Sequence, residues 1–120
     1  MASRLADINA PGRVIYDLIV EAQHAATGDR RIEVRFAFFR PVAINFDDGR
    51  SISAFSREIS AAGIGLIHNV DIPLGELELC VSSERGCLVR VRTEIVWCQL
   101  CSPGWYISGG QFVGPATVGA

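Results

Sequence analysis

Short runs of alternating apolar and polar residues fill the chain from residue 29 onward. Each run is rich in β-branched or aromatic residues and ends at a turn signal containing glycine, proline or aspartate, as at residues 47–49 and 102–104. Such alternation is typical of strands with one buried face. The runs occupy residues 30–46, 51–60, 63–70, 76–83, 87–97 and 105–113. Six strands at this spacing, with no helical period between them, predict a mainly β fold, a six-stranded antiparallel barrel.

A different period precedes the strands and predicts an N-terminal α-helix over residues 11–26. Its apolar positions recur at the spacing of one helical face: Val14, Ile15, Leu18, Ile19 and Ala22. Asn9 can cap this helix, Pro11 suits its first turn, and Gly28 suits its end. The apolar stripe has to pack either against the rest of the chain or against a partner.

These patterns divide the chain into three parts. We expect an N-terminal segment with the amphipathic helix at residues 1–28, a barrel domain at residues 29–114 and a disordered tail at residues 115–120. A length of 120 residues, with 49% apolar and 20% charged residues, suits one domain with a buried core.

The net charge and the cysteine content exclude some classes of function. A formal net charge of -2 argues against charge-driven binding to DNA or RNA. The chain has no run of eighteen apolar residues, and Arg4, Asp7 and Arg13 interrupt any signal peptide, so we expect no membrane insertion. The four cysteines are then reduced thiols of a cytoplasmic protein. All 11 basic residues are arginines, whose planar side chains suit paired contacts with phosphates and guanine edges.

Little in the sequence suggests catalysis, and we expect no enzyme. His24 and His68 have no nucleophile or carboxylate at a known motif spacing. Cys98 and Cys101 form a C-x-x-C, but a second pair at zinc spacing is missing and the motif ends a strand instead of opening a helix. We interpret them as small apolar residues at a strand–turn junction, with zinc binding or redox sensing as an alternative.

The first candidate binding cluster is a group of arginines before the first strand. Arg30, Arg31 and Arg35 lie within six residues, and the last two fall on one side of an extended or helical chain. Guanidinium groups at this spacing can hold a phosphodiester and reach guanine O6 and N7. Taken alone, the cluster is more simply a solvated segment in which Asp29 and Glu33 are ion-pair partners.

The second candidate cluster is Glu58, Ser60 and Gly63. Alternation along a strand places Glu58 and Ser60 on the same face. A carboxylate can accept hydrogen bonds from guanine N1–H and N2–H₂ together, the hydroxyl can add a contact, and Gly63 permits a tight backbone. Taken alone, this is also a common pattern at the end of a strand.

Together the two clusters resemble the motifs of the PilZ domain family. Arg30-Arg31-x-x-x-Arg35 matches the family's RxxxR motif, and Glu58-x-Ser60-x-x-Gly63 matches its D/N-x-S-x-x-G motif, with Glu where Asp or Asn is usual. Further matches follow in the family's order: Gly63-Ile64-Gly65-Leu66, Pro73-x-Gly75-Glu76, Glu94-Ile95-Val96-Trp97 and Trp105-Tyr106-Ile107-x-Gly109-Gly110-Gln111-Phe112. The resemblance covers residues 30–113.

The resemblance implies a bacterial receptor for the second messenger cyclic di-GMP that needs no cofactor. By the family's pattern, Arg31 and Arg35 contact phosphates and guanine Hoogsteen edges. Glu58 contacts a guanine Watson–Crick edge with help from Ser60, and Gly63 keeps the backbone clear. An arginine at the position of Arg30 accompanies the binding of two intercalated ligand copies.

We expect ligand binding to act as a switch. Three like charges repel one another in the arginine segment, so a dianionic ligand would order it, move the helix upstream and signal to a partner protein. We expect the extra methylene of Glu58 to weaken ligand binding and not to abolish it. The alternative is a PilZ-like adaptor that does not bind the nucleotide and acts through protein contacts. The sequence leaves the downstream partner and the oligomeric state open.

Overall fold

The computed structural model describes residues 15, 18, 19, 36–84 and 86–119. Their strands are, in chain order, β1 (Phe36–Ala37), β2 (Pro41–Asn45), β3 (Ser51–Ile59), β4 (Gly63–His68), β5 (Gly75–Ser82), β6 (Leu88–Ser102) and β7 (Trp105–Gly119). Every pairing between them is antiparallel. All six runs predicted from the sequence therefore contain strands, and the first run is divided into β1 and β2.

The sheet closes on itself. Its strands follow the order β3–β2–β5–β6–β7–β4, and β4 also pairs with β3. The two-residue β1 pairs with the same edge of β3 as β2 does, so β1 and β2 together occupy one position in the barrel. The predicted six-stranded antiparallel barrel is confirmed. The β3–β4 pairing joins the two strands that would otherwise be the edges of an open sheet.

Glycines with positive φ make three of the connecting turns possible. Gly49 (φ 94°) lies between β2 and β3, Gly86 (φ 83°) between β5 and β6, and Gly104 (φ 82°) between β6 and β7. A residue with a Cβ atom rarely adopts this backbone conformation. These are turns that the sequence predicts, so the local chemistry and the fold agree here.

The C-terminal tail corrects one expectation. The sequence predicts disorder over residues 115–120, but residues 115–119 belong to β7, and Ala116 is completely buried. Ala116 pairs with Val91 of β6, and Val118 pairs with Val89. Alanine and glycine are poor strand formers by themselves. Pairing with the first half of β6 overrides the low strand propensity of these residues.

One face of each long strand fills the inside of the barrel. Ile44 of β2, Leu66 of β4 and Leu79 of β5 have no exposed surface. Along β6 the side chains alternate strictly between buried and accessible from Leu88 to Ile95, as a strand with one buried face requires. The core therefore follows the alternation seen in the sequence.

Three members of the apolar stripe near the N-terminus join this core: Ile15, Leu18 and Ile19. Their burial means that these three residues pack against this chain. The other residues of the helix predicted over 11–26 lie outside the described part of the chain, as does His24. None of the described residues belongs to a helix long and apolar enough to cross a membrane.

His68 is a buried structural residue. Its Nδ1 lies 2.7 Å from the Val70 carbonyl oxygen, and its Nε2 lies 2.8 Å from the Ser108 hydroxyl. Because a carbonyl oxygen only accepts, the neutral ring donates through Nδ1 and accepts the Ser108 hydrogen at Nε2. Burial lowers the pKa of His68 below its ordinary value, so the neutral form prevails at neutral pH.

We expect Ala116→Asp to destabilise the barrel by about 3–5 kcal/mol, because it places a charge without a partner in a fully buried position. Thr117→Asp puts the same charge on the exposed face of the same strand and should lower the free energy of unfolding far less. Urea unfolding of both variants measures the difference. Equal stability would mean that residue 116 is solvated, as a disordered tail requires.

His68 should make stability depend on pH. The folded state holds the pKa of His68 below that of the unfolded chain, so unfolding takes up a proton in acid. Stability is then complete above about pH 6.5 and falls as the pH drops below that value. Urea midpoints at pH 7.5 and pH 5 measure this loss. His68→Gln keeps one donor and one acceptor without titrating, and should flatten the profile; an unchanged slope would contradict the assignment.

Candidate ligand-binding site

An open groove on the outer face of the barrel contains the second polar cluster. Glu58, Ser60 and Gly63 line it, from the end of β3 to the start of β4. Residues 96–97 of β6 and 109–111 of β7 form the other side. Its volume is about 260 Å³, below the roughly 300–1,000 Å³ of pockets that enclose a drug-sized molecule. The described residues therefore line a shallow, open groove and not an enclosed pocket.

The first cluster lies wholly outside the described part of the chain. Its members are Arg30, Arg31 and Arg35. The described chain resumes at β1, where Ala37 pairs with Glu58. Paired residues of antiparallel strands have Cα atoms about 5 Å apart. β1 therefore joins the end of the arginine cluster to the strand that carries Glu58.

Ser60 shapes the turn between β3 and β4. Its hydroxyl oxygen accepts hydrogen bonds from the backbone N–H groups of Ala62 (3.3 Å) and Gly63 (3.2 Å). The backbone N–H of Ser60 donates to the Gly63 carbonyl at 2.9 Å. The Ser60 O–H lies 3.5 Å from that same carbonyl, too far for a strong bond. This O–H is the part of Ser60 that can donate to a bound molecule.

Gly63 permits the close approach of β4 and β7. A Cβ atom at this position would overlap the carbonyl oxygen of Gly110, which belongs to the neighbouring strand. Gly63 pairs with Gln111 in the same register. The glycine is therefore required by backbone packing at the floor of the groove, whatever the groove binds.

Two β-bulges border the groove. The register between β3 and β4 shifts between Ser56 and Glu58, and the register between β6 and β7 shifts between Ile95 and Trp97. Each bulge turns two consecutive residues outward, residues 57–58 and residues 96–97, as bulges beside binding sites commonly do. Strict alternation beyond the buried Ile95 predicts a buried Trp97, whereas its side chain is 40% exposed.

Trp97 lines the groove, although the sequence motifs do not predict a role for it. It is 40% exposed at the groove, and a Cβ atom on Gly109 would overlap its indole, so the ring rests directly on the backbone of β7. A flat, partly exposed indole offers a surface on which a purine base can stack. The signal in the sequence is weak, because a tryptophan late in a strand is also common in cores.

The C-x-x-C motif lies inside β6 and forms no site of its own. Two residues three positions apart in a strand are about 10 Å apart, beyond the roughly 7 Å limit for a disulfide. The Cys98 thiol donates to a carboxylate oxygen of Asp71 at 3.5 Å, and burial raises the pKa of Cys98. Across residues 36–84 and 86–119, no three metal-binding side chains cluster. The described geometry therefore gives no support to zinc binding or redox sensing by Cys98 and Cys101.

We expect Gly63→Ala to cost about 1–3 kcal/mol of stability, because the added methyl group forces β4 away from β7. Gly65→Ala is the matched control on the same strand, since its methyl group meets side-chain atoms of Arg57 and Glu58 that can move. Thermal unfolding compares the two variants. A larger loss for Gly65→Ala would contradict the importance of the close contact at Gly63.

The comparison with known families agrees with this geometry. A family model of the PilZ domain matches residues 29–116, which include the arginine cluster, the Glu58–Gly63 corner and the strand at Ala116. A search of the curated proteins returns no match. PilZ domains generally bind cyclic di-GMP and act as receptors or adaptors. Since the matched region is more than half of the sequence, the chain belongs to the PilZ domain family.

Proposed function

We propose that this domain binds cyclic di-GMP in the groove between β3–β4 and β6–β7, beneath the arginine segment, and passes the signal to a partner protein. The observation that carries the proposal is the pairing of β1 with β3. This pairing places the chain that follows Arg35 beside Glu58. The motif for phosphate binding and the motif for base binding are therefore joined to neighbouring strands.

The geometry supports a role for Glu58 despite its extra methylene. Glu58 faces Gly65 across the β3–β4 pair, and Gly65 has no side chain to occupy that space. The longer carboxylate can therefore lie across β4 without a clash, and the separation from a guanine edge can adjust. A carboxylate accepts from N1–H and N2–H₂ of guanine together, a pair of donors that adenine does not present on one edge.

The aromatic side of the groove complements this role. A purine held by Glu58 can lie against the exposed indole of Trp97. Stacking of a base on an aromatic side chain contributes about 1–3 kcal/mol. The small volume of the groove suits a base, with the sugar and the phosphates lying outside the groove. Arg30, Arg31 and Arg35 then supply the positive charge for the two phosphates.

The switch follows from charge neutralisation. The ligand brings two negative charges to a segment that carries three guanidinium groups in six residues. Neutralising them favours one ordered arrangement over many. The N-terminal segment directly precedes these arginines, and its Ile15, Leu18 and Ile19 are buried in the core. Ordering of the arginines can therefore change how that segment packs and which surface a partner meets.

Calorimetric titration with cyclic di-GMP tests this proposal. We expect two ligand copies per chain and a loss of about ten- to a hundredfold in affinity for Arg31→Ala and for Arg35→Ala, because each removes charged hydrogen bonds worth about 1.5–3 kcal/mol. Arg30→Ala should reduce the stoichiometry. Arg90→Ala removes the same charge from an exposed position six residues before Val96, about 20 Å along β6, and is the control. Equal affinity in every variant would exclude the assigned site.

A second candidate is an adaptor that works through protein contacts without the nucleotide. Phe39 and Phe55 favour it, because they stack at 4.9 Å between ring centroids while remaining 69% and 38% exposed. An exposed aromatic pair is a frequent feature of protein interfaces. No heat and no amide shift at residues 58–63 on addition of cyclic di-GMP would favour this candidate over the first.

A further inference from the structure

Arg57 lies beside Glu58 on the outer face because of the bulge in β3. In a regular strand, two consecutive side chains point to opposite faces. Here the pairing passes from Ser56–Leu66 to Glu58–Gly65, which leaves Arg57 as the extra residue. Ser56 and Ile59 on either side are buried, while Arg57 and Glu58 are both partly accessible. The bulge therefore presents a cation and an anion side by side.

Both side chains converge over Gly65. Built onto Gly65, a Cβ atom would lie 2.9 Å from Nη2 of Arg57 and 3.1 Å from Cγ of Glu58. Gly65 also lines the groove. The missing side chain at this one position thus lets the guanidinium and the base of the carboxylate share the space above β4, at the edge of the groove.

The Arg57 guanidinium is held by one end. Its Nε donates to the Leu66 carbonyl oxygen at 3.3 Å. Within residues 36–84 and 86–119, no carboxylate forms an ion pair with it. A guanidinium has five N–H donors, so the four on the terminal nitrogens remain for another acceptor. Anchoring through Nε fixes the orientation of the group without using its paired donors.

We propose that Arg57 is a specificity-determining residue that recognises guanine O6 while Glu58 binds the adjacent N1–H and N2–H₂. In guanine, O6 lies next to N1–H on the Watson–Crick edge and also borders N7, so a donor beside the carboxylate meets an acceptor. Adenine carries an amino group at the position of O6, and this donor would face the Arg57 cation. The pair therefore selects guanine through one attractive and one repulsive contact.

This inference rests on the proposed binding of cyclic di-GMP and goes beyond the motif residues. The test is Arg57→Met, which keeps much of the length and removes every donor. We expect its affinity for cyclic di-GMP to fall about ten- to a hundredfold, while its weak affinity for cyclic di-AMP stays the same or improves. Affinities are measured by calorimetry, with amide shift titration to millimolar ligand for the weaker nucleotide.

One control variant and one further test variant show whether the loss of affinity depends on the position of Arg57. Arg90→Met removes the same charge from an exposed site far along β6 and should change neither affinity. Gly65→Ala displaces both side chains, so it should lower the preference for guanine with little loss of thermal stability. Circular dichroism of each variant checks the fold.

The outcomes are distinct. An Arg57→Met protein that loses affinity equally for both nucleotides would show a phosphate contact and overturn guanine recognition. Unchanged affinity for cyclic di-GMP in that variant would overturn any contact by Arg57 and leave the proposed function intact. No binding of cyclic di-GMP by the unaltered protein would overturn the proposed function, and this inference would fall with it.

Discussion

The antiparallel pairing of β3 with β4 is the interaction on which both the barrel and the groove depend. It closes the sheet, because β4 joins β3 on one edge and β7 on the other. The same short hairpin carries Glu58, the Ser60 turn and Gly63 within six residues. A barrel without this closure would expose two strand edges and separate the two sides of the groove. The stability of the barrel and the geometry of the groove therefore depend on the same hairpin.

The groove exists because several of its backbone positions carry no side chain. Gly63 admits the carbonyl of β7, Gly65 leaves room for Arg57 and Glu58, and Gly109 supports the indole of Trp97. A methyl group at any of these positions would meet backbone or a neighbouring side chain. Glycine is a poor strand former, so these residues weaken the strands slightly while they bring larger side chains close to the surface of the sheet. A flat wall of β-branched residues could not form the same depression.

The charge of the chain explains why the groove by itself would not attract an anionic ligand. The chain as a whole carries a net charge of -2, and Glu58 adds a carboxylate at the groove itself. A dianionic ligand is attracted there only if arginines come close, and β1 ties their segment to the strand of Glu58. The elements that we propose to recognise base and phosphate thus come from different parts of the chain. In the proposed function, binding of one ligand by both parts would couple the N-terminal segment to the barrel.

Local patterning determined the strand content of the barrel and the positions of its turns, because alternating side chains and turn residues act within a few positions of one another. It also placed Glu58 and Ser60 together at one end of β3. Tertiary structure alone decided the two bulges beside the groove, since a bulge depends on the register with the partner strand. Trp97 is therefore exposed where alternation predicts burial. The order of residues 115–119 likewise depends on the edge that β6 offers, which no short window of sequence contains.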